Sequence, residues 1–443
     1  MGAGTAQGGA CLLISGKVRK NMEFVVFAGV LLLLFIFMIV QELIQTKNQE
    51  KLFKKYLREN YGKEPPKEYS LERFARLGSY LERHKEEKQL DDITWNDLGM
   101  DEVFRRIDRT YSAAGEEYLY YTLRNISCGR EALEHLEEVV NWLQEQENIK
   151  VRIQLLMKRL GHLGKYSLYD YLDNLDYLGE RSNRKIVLGN LLYLPFLLLL
   201  FVQPAMGTIG IVLCMLWHIM TYFREKKVIE PYIISFAYVL RLIDVCEELE
   251  KQKIPVYRRE LDELREALKS LRELRRGAYW VMAGNQGKIG GNPLDILADY
   301  LRMILHLDIF QFNRMLEKLR KKTGQVETML AITGYLDMAI SVGGFRKSLE
   351  GYCIPKLEED TEKAFLHMKK GWHPLLSQPV KNSIRADRGI LLTGSNASGK
   401  STFLKMVAVN AVLAQTIHTC AAESYHAPIF QIFSSMALRD SME

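Results

Sequence analysis

The chain has 443 residues, 60 of them basic and 54 acidic, for a formal net charge of +6. That length accommodates two or three domains with sizeable cores, and so slight a basic surplus identifies neither nucleic acid nor anionic lipid as a partner. Six scattered cysteines (Cys11, Cys128, Cys214, Cys246, Cys353 and Cys420) form no C-x-x-C pair, which argues against a disulfide framework or a zinc site and for a reducing compartment.

An uninterrupted apolar run extends from Phe24 to Val40, with Lys17, Arg19 and Lys20 before it and Lys47, Lys51, Lys54 and Lys55 after it. Extended by Met22, Leu43 and Ile44, it is long enough to cross a bilayer. Gln41, Glu42 and Leu43 stand where a cleaved signal peptide would carry small residues, so a retained anchor is expected in residues 1–44. Residues 45–90 read as a charged helical linker with one apolar stripe (Leu52, Phe53, Tyr56, Leu57). Pro65-Pro66 breaks it, and a second helix starts near Ser70-Leu71-Glu72. Residues 91–185 follow helical spacing through Val103, Phe104, Ile107, Tyr111, Tyr118, Leu119 and Leu123. The pattern continues through Trp142, Ile153, Leu156 and Leu160.

A second apolar block, 186–223, is interrupted at Gln203-Pro204. It has the length of two spans, 186–202 and 205–223, joined by a very tight turn. A helical hairpin buried in a soluble core is the alternative, but Leu197 to Val202 offers no polar face. Arg181, Arg184 and Lys185 flank one end and Arg224, Lys226 and Lys227 the other, which places both flanks in the cytoplasm. The expected location is a multi-pass cell-membrane protein with residues 41–185 and 224–443 on the cytoplasmic side.

Residues 224–354 resume as helices. Leu261, Leu264, Leu268 and Leu271, between Tyr257 and Arg276, form a short seam suited to packing on another helix of the chain. Gly284, Gly287, Gly290 and Gly291, closed by Pro293, lack a lysine and a leading strand, and read as a flexible connection rather than a phosphate loop. Helices fill 294–350, a boundary falls near Pro355, and Phe365 to Thr393 turns β-like.

Within 355–443 the pattern G-x-x-x-x-G-K-[ST] is met by Gly394, Gly399, Lys400 and Ser401. Ile390, Leu391 and Leu392 lead in as a buried strand; Phe403, Met406, Val407, Val409, Asn410 and Leu413 lead out as a helix. This strand–loop–helix order is that of a P-loop. Gly394, Ser395, Asn396, Ala397, Ser398, Gly399, Lys400, Ser401 and Thr402 would cradle the phosphates of ATP. Lys400 would reach the β- and γ-phosphates and the Ser401 hydroxyl would reach Mg²⁺. His373, His418 and His426 have no metal-ligand spacing, and ordinary structural roles are expected for them.

These residues resemble the MutS family of DNA mismatch-repair ATPases. The loop reads Gly-x-Asn-x-Ser-Gly-Lys-Ser-Thr with Asn396 at the family's position, while Ser395 and Ala397 replace its usual proline and methionine. Trp372-His373-Pro374 is similar to the family's R-H-P element. Leu336-Asp337, Ser341, Tyr352 and Pro355 resemble the last core helix, and Ser112-x-x-Gly115-x-Glu117-x-Leu119 the start of the core, with glutamate where arginine is expected at 117. Ile432-Phe433-Ser434-Ser435 and Ala437-x-x-Asp440 resemble the approach to the signature loop.

The resemblance implies a mostly α protein: a helical core and lever carrying transmembrane helices, followed by the N-terminal part of an α/β P-loop ATPase domain. It also implies DNA as a partner and a homodimer formed through the ATPase domain. No F-x-E wedge or mismatch-reading domain is found before residue 91. The chain stops at Ser441-Met442-Glu443, before any Walker B carboxylate, so it reads as truncated: nucleotide binding is expected and turnover is not. Neither Asp440 nor Glu443 ends an apolar strand, so neither substitutes for that carboxylate. The competing expectation is a nucleotide-switched membrane scaffold or transporter-like protein that does not read mismatches, or an inactive truncated product.

Overall fold

The computed structural model describes residues 37, 40–41, 44–63, 69, 71–86, 88–126, 129–163, 167–275, 300–359, 364–395 and 399–435. The chain divides into two compact units, 1–60 and 61–443. In the first, 44–60 is helical, Phe53 stacks on Tyr56 and Leu52 is exposed. Apart from Phe37 and Val40, the expected span Phe24–Val40 lies outside the described residues, as do Pro65-Pro66 and the Gly284–Pro293 link.

The second unit is mostly helical. It begins with α1 (Leu71–Arg83), α2 (Asp92–Leu98), α3 (Met100–Ile107) and α4 (Ala113–Arg124). Then come α5 (Gly129–Glu145), α6 (Glu147–Leu160) and the short α7 (Leu168–Asp173). The expected apolar positions Val103, Phe104, Ile107, Leu119, Leu123, Ile153, Leu156 and Leu160 are buried.

Among the described residues three helices are long and apolar enough to cross a membrane, and their surroundings separate them. The first comprises α8 (Arg184–Leu191) and α9 (Tyr193–Val202), and the second is the beginning of α10 (Pro204–Glu250). Only 6% and 28% of their apolar windows are buried, against 83% for the third, α13 (Thr323–Ser348). The first two are the spans expected from the sequence, whereas α13 is the centre of the protein core.

The turn between α9 and α10 is a single residue, Gln203, followed by proline at the first helical position, where its fixed φ suits a helix start. Glycines bring the two helices together. A Cβ on Gly207 would lie 2.6 Å from the Leu200 nitrogen, and one on Gly210 would lie 2.1 Å from the Phe196 ring. Phe201, Leu198, Leu213 and Met220 remain outward and exposed. At 47 residues α10 is roughly 70 Å long. Its second half, from Ile229 through Phe236, Leu242 and Leu249, is buried in the core.

After α10 comes α11 (Arg258–Leu271), whose Leu261, Leu264, Leu268 and Leu271 are buried against α13 and α10, as the seam predicts. Then follow α12 (Leu307–Arg320) and α13. The hydroxyl of Tyr257 donates to the Ile332 carbonyl of α13 at 3.0 Å.

The few polar groups of α13 fasten its neighbours. Asp337, fully buried, accepts hydrogen bonds from the Tyr111 and Ser112 amides and from the Ser112 hydroxyl at 2.6 Å. Ser341 one turn later accepts from the Arg109 amide and donates to the Ile107 carbonyl, both at 2.8 Å. The same Ser112 hydroxyl caps α4 by accepting from the Gly115 amide. Gly115 allows the close approach: a Cβ there would lie 2.4 Å from the Asp337 carboxyl. The two stretches that resemble the ends of a family core are therefore one joint.

Beyond α13 lies a four-stranded mixed sheet of β1 (Lys356–Glu358), β2 (Leu366–Gly371), β3 (Asn382–Ala386) and β4 (Ser424–Pro428), in the order β1-β4-β2-β3. The β1–β4 pair is parallel, with Leu357 opposite Ala427; β4–β2 and β2–β3 are antiparallel. The expectation of a buried strand at Ile390–Leu392 is not met. These residues have no strand conformation, and Leu391 is 88% exposed. A short apolar strand stays buried when neighbours pair its edges and cover its faces, and among the described residues no strand pairs with this run.

Replacing Asp337 with alanine strands buried amide donors and is expected to cost about 3 kcal/mol of stability, read from chemical denaturation of the detergent-solubilised chain. Glu117, where arginine was expected, is buried and accepts from the Ser167 hydroxyl at 2.8 Å. Burial pushes its carboxyl up from 4.5 to about 8. The folded protein thus keeps a proton that the unfolded chain releases, and stability declines as pH rises through that window. Glu117→Gln should raise the thermal midpoint at about pH 8 and leave it nearly unchanged at about pH 5.

Candidate functional site

The helix after the glycine-rich loop, α14 (Lys400–Ile417), forms where the sequence places it. Gly399 precedes it with φ +84°, a left-handed conformation that glycine adopts without a Cβ penalty. The first intrahelical bond runs from the Phe403 amide to the Gly399 carbonyl at 2.9 Å. The amides of Lys400, Ser401 and Thr402 therefore have no helical acceptor, and they gather at the positive end of the helix.

The Lys400 ammonium turns back over the loop and donates to the Gly394 carbonyl at 2.6 Å and the Ser395 carbonyl at 2.5 Å. Gly394, Ser395, Gly399, Ser401 and Thr402 are exposed, so a ligand reaches them from solvent. Asn396, Ala397 and Ser398 lie outside the described residues. One cation, a glycine turn and first-turn amides converge here, a donor set that matches phosphate oxygens. The Ser401 hydroxyl, which a metal ion could take as one ligand, is exposed at the same helix start. Among the described residues no group of three or more His, Cys, Asp or Glu side chains could hold one, and Asp440 and Glu443 lie outside them.

The other end of α14 is deeply buried, and its polar side chains tie the loop helix to the rest of the unit. Asn410 donates to the carbonyls of Met406 (2.9 Å) and Trp372 (3.0 Å) and accepts from the Ala421 amide (2.7 Å). Trp372 in turn donates its amide to the Ala421 carbonyl. The Trp372-His373-Pro374 element is thus bonded directly to the loop helix. His373 is buried; burial, then the nearby Lys405 charge, holds its imidazole below the usual range. Gln415 accepts from the Phe430 amide and donates to the Phe430 carbonyl. Next along the chain, Ser434 bonds through its amide to the Thr94 hydroxyl and through its hydroxyl to Asp97, both at 2.9 Å. The segment 432–435 thereby docks on α2.

A cluster that sequence reading missed joins α13, α5 and the C-terminal end of α14. Arg346, 2% exposed, donates to Glu137 from both terminal nitrogens (3.1 and 2.7 Å). It also donates to the Thr419 hydroxyl (2.8 Å) and the His418 carbonyl (3.0 Å). The available signal was an arginine directly after the apolar stretch Val342-Gly343-Gly344-Phe345. A buried guanidinium must be paired, so such a position marks a junction. Burial pushes Glu137 upward, but His418 and Arg346 outweigh it and hold the carboxyl at about 2. His418 therefore takes a structural role here.

No protein-family model matches the chain. It is 31% identical over 137 residues to the DNA mismatch repair protein MutS of Acholeplasma laidlawii, covering 30% of this chain and 16% of that protein. It is 28% identical over 152 residues to the human MutS protein homolog 4, covering 32% and 16%. It is 29% identical over 152 residues to MutS of Leptospira interrogans, covering 32% and 18%. The chain therefore spans about a sixth of the length of these relatives. It is a mostly helical protein with a small sheet and a distant likeness to MutS proteins.

Glu137 ionises in the folded protein far below its unfolded value near 4.5, so its stabilising effect is full above that pH and is lost as pH falls towards 2. Glu137→Gln should lower the thermal midpoint at neutral pH, and the gap to the parent should narrow progressively from about pH 5 down to about pH 2. A gap that does not depend on pH would disprove the ion-pair account.

Proposed function

We propose that the chain is a membrane-anchored, MutS-like ATP-binding protein. The observation that carries the nucleotide reading is Lys400 held over the Gly394 and Ser395 carbonyls, at the helix start created by Gly399. On binding, Lys400 exchanges those carbonyls for phosphate oxygens, and the first-turn amides supply further donors. The Ser401 hydroxyl serves Mg²⁺, which when bound neutralises phosphate charge. Residues Gly394 to Thr402 together form the nucleotide cradle.

The membrane reading is supported by the exposed apolar helices 184–202 and 204–230 and by the basic residues at their common end. A large apolar surface of this kind calls for a lipid or protein cover. In this reading the hairpin spans the bilayer and the rest of the second unit is cytoplasmic. The helical core comprises 91–185 and 224–354, and the partial ATPase domain comprises 355–443. The route from nucleotide to core runs through the Arg346–Glu137 pair, which is bonded to the turn after α14. By relation to proteins named for DNA mismatch repair, DNA is the proposed macromolecular partner, and a homodimer through the ATPase domain the proposed assembly.

A nucleotide-switched membrane scaffold is the second reading, favoured by the continuous passage of α10 from the apolar hairpin into the core. Binding of a fluorescent ATP analogue to the full chain should weaken at least tenfold in Lys400→Ala, about 1.4 kcal/mol or more. Equal affinity of the two proteins would defeat the nucleotide reading. DNA binding that falls steeply with salt supports the DNA reading, and no binding at low salt supports the scaffold.

A further inference from the structure

A cavity of about 410 Å³ opens where the hairpin meets the core, between α8, α10 and α12. That volume lies in the range of small-molecule sites. Its hairpin side is formed by Ile186, Gly189, Trp217 and His218, and its charged side includes Arg181, Lys185 and Arg224. Two acids, Glu180 and Glu225, also line it, leaving one surplus cation. Glu225 is spent on Arg181, which further donates to the Asn313 side chain at 3.1 Å. Among the described residues Lys185 and Arg224 have neither an acid nor a hydrogen-bond partner, and both are exposed at the cavity.

His218 points to the same ligand independently. It is 1% exposed, and its Nε2 has no hydrogen-bond partner. Thr221 directs its hydroxyl proton to the Trp217 carbonyl at 3.0 Å and so accepts from His306 Nε2 at 3.4 Å. In the tautomer that places the His306 proton on Nε2, its Nδ1 accepts from His218 Nδ1 at 3.3 Å and His218 Nε2 is left as a buried acceptor. Such an atom needs a donor from whatever enters the cavity. Gly189 lies against the His218 ring: a Cβ there would be 3.3 Å from that Nε2.

We propose that this cavity binds the headgroup of an anionic phospholipid that also carries a hydroxyl. The phosphate sits between Lys185 and Arg224, and the hydroxyl donates to His218 Nε2. The inference rests on the membrane reading of the hairpin, which puts the cavity at the cytoplasmic headgroup level. Basic pockets between spans on that side suit anionic headgroups. Trp217, half-exposed at the cavity wall, has the amphipathic character of an interfacial anchor. The exposed Leu188, Leu213 and Leu216 continue the same surface for acyl chains.

The full chain is reconstituted in phosphatidylcholine vesicles, alone or with phosphatidylglycerol or phosphatidic acid. Flotation is measured first, then the lipid retained per protein after detergent extraction. Phosphatidylglycerol should be retained in preference to both other lipids. Lys185→Gln with Arg224→Gln should weaken that retention ~30-fold, two surface charges' worth, with flotation unchanged. Arg184→Gln with Lys227→Gln removes equal charge from the same end of the hairpin, outside the cavity, and should change it little. Equal loss in the two double variants, or no selection of phosphatidylglycerol over phosphatidylcholine, overturns the proposal. Equal retention of phosphatidic acid overturns the His218 contact and the proposal with it. If glycerol 3-phosphate raises the thermal midpoint in lipid-free micelles as much as phosphatidylglycerol does, the ligand is a soluble phosphate and the lipid assignment falls. A wild-type chain that fails to float defeats the membrane reading itself; one that floats without selecting the lipid defeats this proposal alone.

Discussion

The core depends on α13, a helix apolar enough to lie in a membrane yet enclosed by protein. A helix buried on all sides places every polar group it carries in a medium where an unmet hydrogen bond costs about 1–3 kcal/mol. Its neighbours must therefore be arranged to meet those groups. Asp337 and Ser341 fix the turn before α4, and Arg346 fixes α5 and the turn after α14. Apolar packing supplies the driving force, while these three side chains select one arrangement of the packed helices.

The same constraint ties the glycine-rich loop to the interior. The loop and the first turn of α14 are open to solvent, and the C-terminal half of that helix is buried. A disturbance at Lys400 meets a rigid rod whose far end is bonded through Asn410, Gln415 and Thr419. Close-packed interiors transmit displacement rather than absorb it. The Arg346–Glu137 pair would therefore sense movement of α14, as the proposed coupling requires. The helix α10 passes without interruption from exposed apolar surface into packed interior. The hairpin and the helical core thus share one rigid element.

Much of this organisation was legible in the sequence. Helical periodicity located α3, α4, α6 and α11, because burial of one face repeats on a fixed spacing. The Gly394–Ser401 pattern located the helix start, because a left-handed glycine and a lysine at set positions are local requirements. Gln203-Pro204 located the turn of the hairpin for the same reason. Ser112, Asp337 and Ser341 were singled out only as separate stretches of a family likeness, since nothing local says that residues more than two hundred positions apart share one joint.

The sequence by itself determined where helices begin, which faces are apolar and where a phosphate loop would form, since these follow from side chains a few residues apart. Tertiary structure decided how completely α13 is enclosed while most of the apolar surface of 184–230 stays uncovered, because hydropathy does not say what surrounds a helix. It also decided that Ile390–Leu392 is exposed, because a strand exists only through the partners on its edges. The pairing of Arg346 with Glu137 and the unpartnered nitrogen of His218 belong to the same class. Whether a buried polar atom is satisfied depends on groups that only folding brings within hydrogen-bond distance.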